Sequence, residues 1–501
     1  MNEKKRMGAA AALCVLCAVL ALLIATTSSP LYATNFWTDT NLYFTIGRGM
    51  TQGLMPYRDL FDHKGPALFM LYALGAMISD TSFFGVFLLE VISLAAMLYA
   101  AWKTVSLYGE SDMTLLAIPL AAMITVCCAA FNQGGSAEEF CLPALSLALY
   151  CALARMRGGE RCAHPARLHL LFGAAMGWAF AIKYTDCGLF FGLAFAVLLY
   201  EWRMRGFVRA FASGLWVLAG MVLVIAPVAA YLAANGALDD CIQVYFIQNI
   251  FDYGGTAMSF GGHIYNALAY LRTQSAANPA MAALAIVGCA LSSLYALIRR
   301  EKGFLLEMMA APLGAGLLLL FCYWGEMAHP YYALVFASLS PLGLIPLAWA
   351  GKRMGRKAPL VCTALACALI VPVCLGVCQS MLLMETKKAD MAQTAFAEIM
   401  NQEENPTLLD LTSLDQGFYL AAGIVPNCRY FANNNLNTAE KREALDGYLA
   451  EGRTMFVVSR WEDPGENYAL IAEASGVFDL NDMRDYKLYR RVDAPEGGVS
   501  P

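Results

Sequence analysis

Long apolar runs joined by short, mostly basic links set the plan of the chain. Runs lie near 8–26, 66–80, 83–101, 113–131, 139–155, 168–182, 187–203, 210–233, 279–298, 303–323, 331–350 and 358–383. Most have the roughly 20 residues that a helix needs to cross about 30 Å of hydrocarbon. The basic clusters between them, at 4–6, 155–167, 203–209, 299–302 and 352–357, belong in the cytoplasm by the positive-inside bias. That bias also constrains the count. If 66–80 and 83–101 both crossed, every later basic loop would lie outside. The run after Pro66 is the shorter and directly follows a charged loop, so it is expected to be a juxtamembrane half-helix at the outer surface. About eleven spans remain. The first run is read as a helix rather than a cleaved signal, because Leu31-Tyr32-Ala33 fits the small-x-small cleavage pattern poorly.

Beyond about 385 the pattern changes. Short apolar runs at 408–411 and 455–458 alternate with helix-like stretches at 415–423, 438–451 and 466–475, and 477–480 and 486–492 read as late strands. This strand and helix alternation predicts a small α/β domain. The expected organisation is a polytopic α-helical membrane domain over 1–384 and an extracytoplasmic α/β domain over 385–501, with the N-terminus cytoplasmic.

Composition agrees with that plan. Hydrophobic residues are 59% of the chain and charged residues 15%, with a mean hydropathy of +0.53, which excludes an ordinary soluble protein. The net charge of -5 averages a neutral-to-basic membrane part with an acidic tail, so nucleic acid is not an expected partner. Most of the 16 cysteines lie in or at the ends of apolar runs, where they act as small hydrophobes. Cys241 and Cys428 fall in segments placed outside, yet no motif pairs them and no disulfide is expected. No Walker loop or dinucleotide fingerprint is present.

Ionisable groups concentrate in the first outer loop, 27–82. It reads Trp37-Thr38-Asp39-Thr40-Asn41-Leu42-Tyr43, then Gly47-Arg48-Gly49, then Pro56-Tyr57-Arg58-Asp59-Leu60-Phe61-Asp62-His63-Lys64-Gly65-Pro66. Leu42, Ile46 and Met50 recur at a spacing of four, which predicts a short amphipathic helix over 40–52 lying on the bilayer. Asp39 at its amino end is either a helix cap or a functional carboxylate.

The early aspartate, the tyrosine four residues on, the Gly-x-x-Pro-Tyr-Arg-Asp turn and the His-Lys-x-Pro approach to an apolar helix resemble polyprenyl-phosphate-sugar-dependent glycosyltransferases of the GT-C fold. Within these, Asp39 to Pro66 is similar to the protein O-mannosyltransferase and lipid A aminoarabinose transferase branch, glycosyltransferase family 39-like. Gly65 stands where many relatives have proline. The resemblance implies transfer of a hexose or pentose from a polyprenyl-phosphate carrier in the bilayer to an extracytoplasmic acceptor: a cell-envelope glycan, a lipid or a protein. It implies Asp39 as the general base and Lys64, with Arg58 as a second candidate, at the donor phosphate. Tyr43, Tyr57, Asp59 and His63 are the substrate-side candidates of the same loop.

Other outer segments supply further candidates. Glu138 can orient the acceptor, whereas Glu139 completes a capping box with Ser136. Lys183 offers another phosphate contact or an ion pair with Asp186. His329 and Tyr332, beside Tyr331, are substrate-binding candidates or part of an interfacial aromatic belt. The segment 234–278, rich in Asn, Gly and aromatics as in Phe251-Asp252-Tyr253-Gly254-Gly255, reads as a lid over the acceptor site. Asp59, Asp62 and His63 lack a second cluster at ligand spacing, so no metal or other cofactor is expected. The competing readings are a transporter or lipid-linked sugar flippase, which would begin from Glu90 and Glu307 within apolar runs, and a scaffold that binds cell-wall polymer.

Overall fold

The computed structural model describes residues 3–492 except 160, 161, 163, 252–257, 326–328, 351–356, 434, 435, 437, 480 and 481. Its membrane part comprises α1 (Glu3–Ala25), α2 (Thr38–Thr51), α3 (Pro66–Ile78), α4 (Phe84–Ser106), α5 (Ala117–Val126), α6 (Ala137–Gly158), α7 (Pro165–Ile182), α8 (Gly188–Arg205), α9 (Phe207–Ala234), α10 (Phe260–Ala277), α11 (Pro279–Arg299), α12 (Phe304–Cys322) and α13 (Ala358–Val377). Among the described residues eight helices are long and apolar enough to cross a membrane, and a ninth if Pro330–Ser338 and Ser340–Ala350, bent by 47°, form one span. The expected runs at 113–131 and 168–182 are helical but weaker as spans. The first is built of short pieces over Asp112–Val126, and α7 carries Arg167 and His169. The run after Pro66 becomes the 13-residue α3, about 20 Å long and too short to cross.

Helix α6 records the membrane's thickness. Glu138 lies in its first turn, Arg155 and Arg157 in its last, a separation of about 26 Å. At the far end buried charges are matched in place: Arg155 pairs with Glu201, which also meets His169 at 3.2 Å, and Arg157 pairs with Glu307 at 3.2 Å. Breaking such buried pairs leaves an uncompensated charge. Helix α9 exposes most of its 28 residues and is seated on α7 through glycines. A Cβ on Gly173 would lie 1.9 Å from the Val217 carbonyl oxygen, and one on Gly220 2.1 Å from that of Leu170. Only glycine permits this backbone approach.

Helix α2 is the expected 40–52 helix, but it does not lie open on the bilayer. Every residue from Asp39 to Met50 is buried, because α2 is wedged between α3 and the tail. Gly47 meets the backbone of Tyr72, with 2.6 Å left for a Cβ, and the helix turns Thr45 and Arg48 to the tail. Thr45 Oγ1 donates to Asp415 Oδ2 at 2.6 Å, and Arg48 Nη1 donates to the carbonyls of Tyr419 and Ile424 at 3.3 Å.

The tail holds α14 (Ala392–Met400), α15 (Phe418–Ala422) and α16 (Ala439–Ala450) around strands β1 (Leu408–Asp410), β2 (Phe456–Ser459), β3 (Tyr468–Asp479) and β4 (Asp482–Arg491). The sheet order is β1-β2-β4-β3, with β1 and β2 parallel and the other pairs antiparallel. The stretch 466–475, expected as a helix from its alanine, leucine and glutamate content, is instead strand β3. Pairing along β4 overrides a weak local preference.

Asp410 and Asp415 are buried in this tail, and burial pushes their carboxyls up to about 7 and about 6. Their folded values exceed the unfolded value near 4, so the folded tail keeps protons that the unfolded chain releases. That stabilisation is complete below about pH 4 and is lost as pH rises through 6 to 7. The tail's unfolding temperature is expected to fall between about pH 4 and pH 7. Asp410→Asn with Asp415→Asn should flatten the profile in a thermal scan against pH.

Candidate active site

Asp39 stands in the first turn of α2, but it does not cap it. The N-cap is Trp37, without a side-chain cap bond. The Asp39 carboxylate, 8% exposed, turns to phenols instead: Oδ2 accepts from the Tyr331 hydroxyl at 2.9 Å and from that of Tyr43 at 3.4 Å. Trp37 packs edge-on against Tyr331, and His329 stacks on the same ring, with centroids 5.0 and 5.3 Å from it. The early α2 turn and the segment at Pro330–Ser338, nearly 300 residues apart in sequence, therefore hold one carboxylate between them.

Lys64 borders the same tyrosine. Its Nζ lies 6.0 Å from the Tyr43 ring centre and 3.5 Å from His63 Nε2. Burial, then the adjacent Lys64, pushes His63 well below its usual range, so the imidazole is neutral. Asp62, also buried, is pushed upward by burial against the pull of Lys64. Tyr57 supports the loop from beneath: at φ +70 it holds a left-handed conformation unusual for a bulky side chain. Bonds to Leu60, Lys64 and Arg429 fix it there, its hydroxyl donating to the Lys64 carbonyl at 2.6 Å. Gly65 then packs so tightly on the end of α7 that a Cβ would lie 2.3 Å from the Ala181 carbonyl oxygen, and its N–H donates to Ile182 at 3.0 Å. Proline at 65 would forfeit that bond.

The start of α6 separates its two carboxylates. Ser136 Oγ accepts from the Glu139 N–H at 2.9 Å, and Glu139 Oε2 accepts from the Gly135 N–H at 2.8 Å, a capping arrangement. Glu138 points the other way and pairs with Lys183 at the end of α7. Lys183 Nζ also sits 3.4 Å above the Tyr332 ring centre, a cation–π contact. Burial is the largest single influence and acts against the Lys183 charge, but Glu138, Tyr332, Asp186 and Cys322 together outweigh it and hold the ammonium well above its ordinary value. Glu138 Oε2 has no hydrogen-bond partner among the described residues.

Asp39, Tyr43, His63, Lys64, Glu138, Lys183, His329 and Tyr332 are thus brought to one end of the bundle. Arg58 and Asp59 are not: they pair with each other at 2.7 Å in a partly exposed position, and Arg58 donates to the Asn235 carbonyl. The Lys183–Asp186 pair does not form, since Asp186 faces Cys322 at 3.7 Å. Of the expected lid, 234–278, residues 252–257 lie outside the described residues, and Phe260–Ala277 is helix α10. Glu90 and Glu307 are engaged structurally, Glu90 by the Thr26 hydroxyl at 2.9 Å and Glu307 by Arg157. Tyr331 as the partner of Asp39 was not legible beforehand, although it adjoins Tyr332. The same holds for Lys441 of α16, which is buried and donates to Asn433 at 3.2 Å. Burial lowers its amine to about 8, with Asp62 acting oppositely. A cavity of about 920 Å³ opens between the first outer loop and the tail, lined by Ser28, Ser29, Tyr32, Lys388, Gln393 and Gln416 and by none of the residues gathered above.

A family model described as the competence-induced Ccs4 N-terminal domain matches residues 2–266, just over half of the chain. No curated protein matches in sequence. Among solved structures, ArnT from Cupriavidus metallidurans bound to undecaprenyl phosphate is similar at 12% identity, with a TM-score of 0.60 over 97% of this chain and 99% of that one. The archaeal oligosaccharyltransferase AglB from Archaeoglobus fulgidus, in complex with an inhibitory peptide and a dolichol-phosphate, is similar at 12% identity, with a TM-score of 0.53 over 91% and 70%. At these identities the likeness establishes the architecture.

Proposed function

The chain belongs to the competence-induced Ccs4 N-terminal domain family and has the GT-C fold, and from these premises we propose that it is a membrane glycosyltransferase. It moves one sugar from a polyprenyl-phosphate carrier to an acceptor on the extracytoplasmic side. The observation that carries this reading is the joining of Asp39, Lys64 and the Glu138–Lys183 pair around Tyr43, Tyr331 and Tyr332. A barely exposed carboxylate thereby faces amines of the kind that bind phosphate.

Asp39 takes the proton of an acceptor hydroxyl as that oxygen attacks the anomeric carbon. The bond from that carbon to the phosphate oxygen breaks, and the electron pair leaves with the polyprenyl phosphate. Lys64 and Lys183 stabilise the phosphate as its charge grows. Glu138 orients the acceptor through its unpartnered oxygen, and His329, Tyr332 and Tyr43 wall the sugar. The tail and the catalytic end lie outside the cell, the basic loops inside.

The test is transfer of labelled sugar from a panel of polyprenyl-phosphate sugars by the purified protein in liposomes, with total envelope extract as acceptor. Product that depends on both carrier and protein supports the reading. Absence of product across the panel, with sugar or lipid translocated instead, would sink it.

A further inference from the structure

Away from the candidate active site, two helices end at one point. Cys127 is the C-cap residue of α5, and Cys374 and Cys378 occupy the last turn and C-cap of α13. The spacing of four puts the latter two on one face of the helix, and the bond from the Cys378 N–H to the Cys374 carbonyl at 2.9 Å keeps that turn helical. Cys127 Sγ lies 3.8 Å from Cys374 Sγ and 3.9 Å from Cys378 Sγ. All three sulfurs are within 4.8 Å of one another, the one group of at least three histidine, cysteine, aspartate or glutamate ligand atoms this close among the described residues.

We propose that Cys127, Cys374 and Cys378 form a binding site for a thiophilic d10 metal ion, zinc or copper(I), that staples α5 to α13. Zinc–sulfur bonds of about 2.3 Å in tetrahedral geometry place the sulfurs about 3.8 Å apart, the spacing found here. Both helices present their C-terminal carbonyls at the cluster, and the partial negative charge there favours a cation. Cys374 is fully buried, but Cys127 is partly exposed and gives the ion a way in. Three thiolates leave a fourth position that water can fill for zinc, whereas copper(I) is content with three soft ligands. The staple holds α5 and α13 against α1, with which both pack in one buried apolar cluster. α1 leads into the first outer loop.

The test is cobalt(II) titration of the full-length, reduced, metal-free protein in detergent, followed by displacement with zinc and, separately, copper(I). Binding of one cobalt per chain, with a thiolate charge-transfer absorption that either competitor abolishes, is expected. Cys127→Ser with Cys374→Ser and Cys378→Ser should lose it. Cys17→Ser with Cys367→Ser should keep it, since those two thiols, also 3.8 Å apart, lack a third ligand. Should the triple variant fail to fold, alkylation of the wild type decides: the bound metal should shield these three cysteines selectively. No cobalt signal, no shielding, or a disulfide between any two of the three in protein purified without reductant would overturn the proposal.

Discussion

Asp39→Asn is expected to reduce sugar transfer by about a thousandfold, the middle of the range for loss of a positioned general base, while leaving the fold intact. The amide oxygen can still accept the Tyr331 and Tyr43 hydroxyls that now meet Oδ2, so the side chain has no reason to move. What disappears is the capacity to take a proton. The measurement is initial rate at matched protein, with thermal stability recorded alongside. A loss of rate with unchanged melting and unchanged carrier binding identifies the base. Transfer at the wild-type rate would remove Asp39 from the chemistry and leave it as a carboxylate that ties α2 to Tyr331. Asp39→Glu should recover part of the rate, because it restores a base at a slightly wrong reach.

The second large effect concerns the Glu138–Lys183 pair. Lys183→Gln leaves a buried carboxylate without its partner, a change that costs about 3–5 kcal/mol when the charge cannot reach water. It also deletes the cation over Tyr332. Adding Glu138→Gln removes the stranded charge and should return most of the stability, while transfer stays low because neither the phosphate contact nor the acceptor contact is restored. A double-mutant cycle in thermal stability and in rate separates the two quantities. If the double variant regains activity together with stability, the pair is a structural bolt and the phosphate must be held elsewhere, with Lys64 as the next choice.

The chain's sequence was informative where local chemistry decides structure. The N-cap of α6 follows from Ser136 and Glu139, and it correctly leaves Glu138 free for another use. The half-helix α3 follows from a short run opened by proline. Partnerships across the fold were not legible. Tyr331 reaches Asp39 and Asp415 reaches Thr45 over separations that no pattern encodes. Helix α2 shows the same limit, since its polar positions look solvent-facing in sequence yet are buried, Thr45 and Arg48 against the tail. The end of β3 was legible in the late strand expected at 477–480, but its first part, within 466–475, was not, because alanine and glutamate prefer helices when alone and only its neighbour β4 makes it extended.

The clamp on α2 also has a bearing on time. Thr45 and its partner Asp415 are 370 residues apart, which at cellular synthesis rates separates their emergence by roughly 20–70 s. Throughout that interval α2, with Asp39 in its first turn, lacks one of its two walls. A chain cut short before Asp415 therefore carries α2 without the tail partners of Thr45 and Arg48.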